Sequence, residues 1–123
     1  MSTPVPFGYV DQLGDTTNRL IVFQGNDTVV TFIVTDPNNS NAVVNITGAT
    51  ILLTRKASRL VPDTDPSAKT YTGAVTNGAG GVCTVPIPGA DNGVPGVTWW
   101  RLDITLNAAK RTPAYGPLEV YSV

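Results

Sequence analysis

The segment that most constrains the fold is residues 97–107, Val-Thr-Trp-Trp-Arg-Leu-Asp-Ile-Thr-Leu-Asn. Trp100, Leu102, Ile104 and Leu106 fall on one parity, and Trp99, Arg101, Asp103, Thr105 and Asn107 on the other. Successive side chains of a β-strand point to opposite faces, so this period of two describes a strand with one buried face and one polar face. A helix would scatter the same residues around its circumference. The pattern predicts a central strand with Trp100 in the core, where burying its ring contributes about 2–3 kcal/mol.

The rest of the chain repeats the theme in shorter units. Apolar and β-branched runs at residues 19–23, 27–35, 43–48 continuing into 49–55, 69–76, 82–87 and 118–123 are separated by Gly, Pro, Asn and Asp clusters. In the second run Val30, Phe32 and Val34 share one face, and Val29 and Ile33 the other. Residues 36–41 and 77–81 read as turns, and 61–68 and 88–96 as loops. Residues 111–117 form a proline-bearing connection ahead of the last strand. No segment has helical periodicity bounded by a cap and a stop. About seven short strands at near-regular spacing predict an all-β fold, an immunoglobulin-like antiparallel β-sandwich spanning residues 19–123.

Residues 1–18 predict an extended N-terminal arm. Prolines restrict the backbone to extended conformations and remove donors, while Phe7, Tyr9 and Val10 supply apolar anchors. Two roles are open for this arm: docking on a partner, or lying as a short edge strand against its own domain.

The chain is poor in catalytic chemistry. It has no histidine, and Glu119 is its single glutamate. Asp15, Asp27, Asp36 and Asp91 sit in turn contexts, where aspartate hydrogen-bonds neighbouring backbone. General acid–base work needs a histidine or paired carboxylates in a cleft, so no enzyme is expected. Asp63-Thr64-Asp65 is the one close acidic pair, and it lacks the oxygen ladder that calcium requires. Gly78-Ala79-Gly80-Gly81 precedes a strand, not the helix N-terminus on which a phosphate cradle depends. Neither a metal nor a cofactor is expected. Cys83, the lone cysteine, shares a strand face with Val85 and Ile87 and reads as a small core hydrophobe.

Net charge is −1, and the eight Lys and Arg are scattered apart from Arg55-Lys56 and Arg59. Nucleic-acid binding calls for a clustered basic face and is not expected. No apolar run approaches the roughly 20 residues of a membrane helix, and no secretory signal opens the chain. The expectation is a soluble protein made in the cytoplasm. Charged residues make up 14% of the chain against about 25% in typical domains, so the exterior must be covered by Thr, Asn, Ser, Gly and Pro. Trp99 and Arg101, on the polar face of the long strand, and Tyr115 near the C-terminus are the candidate partner-binding residues, with Phe7, Tyr9 and Val10 of the arm. For Trp99 two roles remain: stacking on a sugar or a partner's pocket, or packing within its own chain.

Three segments resemble the immunoglobulin-like modules of tailed-phage virions, notably the N-terminal domain of baseplate upper proteins. They are Gly25-Asn26-Asp27-Thr28-Val29-Val30-Thr31-Phe32-Ile33-Val34-Thr35-Asp36 with Val44-Asn45-Ile46-Thr47-Gly48-Ala49-Thr50-Ile51, then Pro95-Gly96-Val97-Thr98-Trp99-Trp100-Arg101-Leu102-Asp103, and Tyr115-Gly116-Pro117-Leu118-Glu119-Val120. Tryptophan stands where that family more often has tyrosine after Pro-Gly, and no fibre-binding region follows. The resemblance implies a non-enzymatic virion protein, either capsid decoration or a tail, baseplate or fibre adaptor. Its partners would be other virion proteins in many symmetric copies or a homo-oligomer. The alternative is a stand-alone carbohydrate-binding or adhesion module on the same scaffold.

Overall fold

A computed structural model of the chain describes residues 10–11, 19–36, 40 and 42–122. Its elements are strands β1 (Val10–Asp11), β2 (Leu20–Phe23), β3 (Thr28–Ile33), β4 (Thr35–Asp36), β5 (Ala42–Val43) and β6 (Thr50–Lys56). They continue with β7 (Lys69–Thr72), β8 (Ala74–Asn77), β9 (Val82–Ile87), β10 (Gly96–Leu106) and β11 (Ala109–Tyr121), and a 3-10 turn at Gly89–Asn92 precedes β10. The protein is all-β. Two main sheets form, ordered β1-β3-β9-β8 and β2-β11-β10-β6-β7, and β4 pairs with β5 as a small separate ladder.

The two sheets share one core. Val30 and Phe32 of β3 and Cys83, Val85 and Ile87 of β9 face Ile51, Leu53, Trp100, Leu102, Ile104, Leu118 and Val120 of the larger sheet. Phe32 and Trp100 meet across the layers with ring centroids 5.7 Å apart. The buried Trp100 indole donates its N–H to the Pro117 carbonyl at 3.1 Å, which satisfies its one polar atom. The alternation at residues 97–107 therefore sets the inner face of the larger sheet as expected.

Several boundaries differ from the sequence expectation. The last strand begins at Ala109, not near Leu118, and runs through Pro113 and Pro117. It follows β10 through a two-residue turn, Asn107-Ala108, with φ of 53° and 64°, the primed-turn geometry whose twist suits a hairpin. Between Leu102 and Ile104 the register shifts, so Thr112 and Pro113 together oppose Asp103. Such a bulge leaves a residue out of the ladder, and that is where a proline fits. The sheets are not purely antiparallel, because β2 runs parallel to β11, with Leu20 opposite Leu118 and Phe23 opposite Tyr121. The single run expected at residues 69–76 is split at Gly73, where the chain passes from β7 in one sheet to β8 in the other.

Within residues 1–18, Val10 and Asp11 are described: β1 pairs antiparallel with β3, Val10 opposite Ile33 and Asp11 opposite Phe32. Phe7 and Tyr9 lie outside the described residues.

Candidate partner-binding face

The outer face of the larger sheet gathers three of the six candidate residues, Trp99, Arg101 and Tyr115. Strand alternation and register fix which side chains share it. Trp99 lies opposite Lys56 and Arg101 opposite Thr54 across β10 and β6. On the other side Trp99 faces Pro117, Arg101 faces Tyr115, and Val97 faces Glu119. Beyond β11, Ile21 opposes Glu119 and Phe23 opposes Tyr121. Trp99, Arg101 and Tyr115 are thus brought together on three adjacent strand positions, though Tyr115 is 14 residues from Arg101 in sequence.

Two aromatic pairs stand on this face. Trp99 and Tyr115 have centroids 5.9 Å apart at an interplanar angle of 34°. Phe23 and Tyr121 meet edge-to-face at 6.2 Å. Pro117, Glu119 and Val97 lie between the pairs by register. Tyr115 is 53% exposed and Val97 63% exposed, with Phe23 and Tyr121 also open to solvent. Glu119 is held by Arg19, whose Nε stands 3.1 Å from Oε2.

Trp99 is half-buried and has internal partners of its own. The Lys56 ammonium sits 5.2 Å from its ring centroid, within range of a cation–π attraction. Lys56 also donates to Asp63 at 3.0 Å. Arg101 clamps the same carboxylate through Nη1 at 3.1 Å and Nη2 at 2.8 Å, and its Nε reaches Asp103 at 2.9 Å. Arg101 and Lys56 together hold the Asp63 carboxyl well below the ordinary carboxylate range, because hydrogen bonds and nearby cations favour the charged form. Conversely, the Asp63 contact raises Arg101. The cluster fastens the loop between β6 and β7 to the sheet.

Asp103 departs from its expected place on an exposed polar face. It is only 3% exposed, with Arg101 and Lys110 as its cations. The Asp63-Thr64-Asp65 pair does not converge either. Asp63 turns to Lys56 and Arg101, whereas Asp65 accepts from the Ser67 backbone N–H at 2.8 Å and its hydroxyl at 2.6 Å. Among the described residues no group of three or more His, Cys, Asp or Glu is placed to hold a metal. No helix among them is long and apolar enough to cross a membrane. Cys83 is buried in the core, and burial pushes its thiol up to about 11.

A second polar cluster closes one end of the core and was not anticipated. Arg55, on the inner face of β6, is 7% exposed. Its Nε donates to Thr98 Oγ1 at 3.2 Å, and its Nη1 to the Asp91 carbonyl at 3.0 Å and Asn92 Oδ1 at 2.8 Å. Tyr71 donates to Asp91 Oδ2 at 3.0 Å, and Lys69 pairs with Asp91 at 3.4 Å. Asn92 in turn donates to the Asn26 carbonyl at 3.2 Å. The only hint in the sequence was a charged residue at an inner-parity position of a strand.

A scan of family models finds no match to the chain, and no curated protein matches it.

Proposed function

We propose that the protein is a non-catalytic structural component of a tailed-phage virion, docking on neighbouring virion proteins through the outer face of its five-stranded sheet. The observation that carries the docking reading is the pairing of aromatic rings there, exposed Tyr115 with half-buried Trp99 and exposed Phe23 with exposed Tyr121. Aromatic residues and arginine are enriched where protein surfaces bind, and charged residues are depleted from the centre of such patches. Here the charges in the patch are already neutralised within the chain, Arg101 by Asp63 and Arg19 by Glu119. A partner would therefore bury rings without stripping water from isolated charges.

The virion assignment is supported by the resemblance, two of whose three segments run along β10 and β11, the strands that carry this face. The immunoglobulin-like form of the two-sheet fold belongs to the same proposal. Immunogold electron microscopy with an antibody to this chain, on phage-like particles from the source culture, tests it. Label over heads is the result expected of a decoration protein, and label at tails or tail tips that of an adaptor. Intact particles without label would refute the virion reading.

The carbohydrate-binding alternative draws on the tilted Trp99–Tyr115 pair beside the polar Arg101–Asp63 clamp. Because the Lys56 ammonium stands over the Trp99 ring, Tyr115 would be the stacking ring. A Tyr115→Ala variant that loses glycan binding at unchanged Tm would favour this reading.

A further inference from the structure

The end of the core closed by Arg55 opens into a cleft of about 480 Å³, bordered by Arg55, Lys69, Asp91, Val94, Val97 and Thr98. Among the described residues, Lys56, Lys69, Arg19, Arg101 and Lys110 each stand within ion-pair distance of a carboxylate, whereas the buried Arg55 and the exposed Arg59 do not. The hydrogen-bond acceptors of Arg55 are all neutral: a threonine hydroxyl, a main-chain carbonyl and an asparagine amide oxygen.

A guanidinium carries five N–H donors. Three are used by Thr98, Asp91 and Asn92, which fix the plane of the group, and the Tyr71 hydroxyl is a further hydrogen-bonding neighbour; Arg55 lines the cleft. Tyr71, whose hydroxyl is raised chiefly by its own burial, feels Arg55 and Asp91 in opposite directions. Arg55, Lys56 and Lys69 line the cleft with Asp91, and with Lys56 paired to Asp63 the site keeps a net charge of plus one. Buried charges are ordinarily paired, and a guanidinium N–H to a carboxylate is a strong, charge-assisted hydrogen bond. One monoanion balances the site. A phosphate dianion would overshoot it and face the Asp91 carboxylate. The rim is apolar, with Val94 79% exposed and Val97 63% exposed.

We propose that this cleft binds an aspartate or glutamate side chain of a partner protein, its carboxylate against Arg55 and Lys69 and a neighbouring apolar side chain on Val94 and Val97. Val97 also belongs to the outer sheet face, so the cleft adjoins the aromatic patch. The inference takes from the docking reading only that the occupant is a protein, and it stands or falls separately from the virion assignment.

The test is a ¹⁵N NMR titration of the full chain with N-acetyl-Leu-Glu-amide, its isosteric control N-acetyl-Leu-Gln-amide, and inorganic phosphate. The expected result is saturable shifts at residues 90–98 and at the Arg55 Nε–H with the glutamate peptide, and at least about tenfold weaker binding of the glutamine peptide, as for loss of a charged hydrogen-bond partner. Arg55 supports the fold, so the diagnostic variant is Val94→Asp, an exposed rim position. A negative charge there should weaken the glutamate peptide about fourfold by Coulomb repulsion in partly hydrated surroundings, while Val94→Asn should not. Equal binding of the two peptides, tighter binding of phosphate, or no saturable shift with the glutamate peptide would each overturn the proposal. None of these outcomes bears on whether particles carry immunogold label.

Discussion

Gly73 sits where the chain leaves β7 in one sheet and enters β8 in the other, and it has no room for a side chain. A Cβ built there would lie 2.7 Å from Ile51 Cγ2, 2.7 Å from the Thr84 carbonyl oxygen and 2.9 Å from Val85 Cγ2. Ile51 and Val85 are core residues, 1% and 0% exposed. The Thr84 oxygen belongs to the backbone of β9, which pairs on both sides. None of the three can swing away as a surface side chain would. Overpacking of this kind costs about 1–3 kcal/mol. Alanine returns about 0.4–1 kcal/mol by restricting the unfolded chain, so Gly73→Ala is expected to destabilise by about 1–2 kcal/mol. At roughly 3–6 °C per kcal/mol for a domain of this size, Tm should fall by about 3–12 °C.

The control is Gly93→Ala. Gly93 has φ of −75° and ψ of −19°, and its nearest contact would be the Ala90 carbonyl oxygen at 4.0 Å. Only the unfolded-state term remains there, so Tm should hold or rise by a few degrees. Thermal melts followed by circular dichroism, with urea titrations of both variants, measure the pair. A Gly73→Ala protein as stable as the parent, or a Gly93→Ala protein as damaged as Gly73→Ala, would refute the steric account of the sheet crossing.

Three further outcomes are expected. Ala108 holds φ of 64° in the β10–β11 turn, a region costly for alanine and free for glycine; Ala108→Gly should stabilise by about 0.5–1 kcal/mol in urea unfolding. Burial raises the Cys83 thiol from its ordinary 9.0 to about 11. The unfolded chain therefore releases that proton first, and stability should fall as pH rises from 9 to about 11, by at most about 2–3 kcal/mol. The pH dependence of urea unfolding across that window should flatten in Cys83→Ala. Asp63→Asn removes the carboxylate shared by Arg101 and Lys56; with Asp63 half exposed the loss in stability should stay under about 1 kcal/mol, yet limited proteolysis between residues 57 and 68 should accelerate. Because the Asp63 carboxyl is held well below 3.8, its contribution is present above that pH and fades only as pH falls through the lower folded value. The parent loop should thus remain protease-resistant at about pH 4.

Secondary-structure class and much of the core follow from the local pattern of the chain. Period-two alternation decides which side chains point inward whatever the strand's neighbours are, so Val30, Phe32, Val34, Cys83, Val85, Trp100, Leu102 and Ile104 were legible as core, and all are buried. The first half of β11 was not legible, because Pro113 and Pro117 argue against a strand until a bulge and a one-sided ladder make room for them. Asn107-Ala108 lacks the glycine that would have announced the hairpin. Parity placed Trp99 and Arg101 on one face, but it could not bring Tyr115, Lys56 and Asp63 to them. Those neighbours depend on strand order and register, which arise from long-range pairing between segments distant in the chain. Asp103 and Arg55 mark the limit most clearly: alternation assigns a side to each residue, and only the tertiary structure decides whether that side is covered and what charge stands across from it.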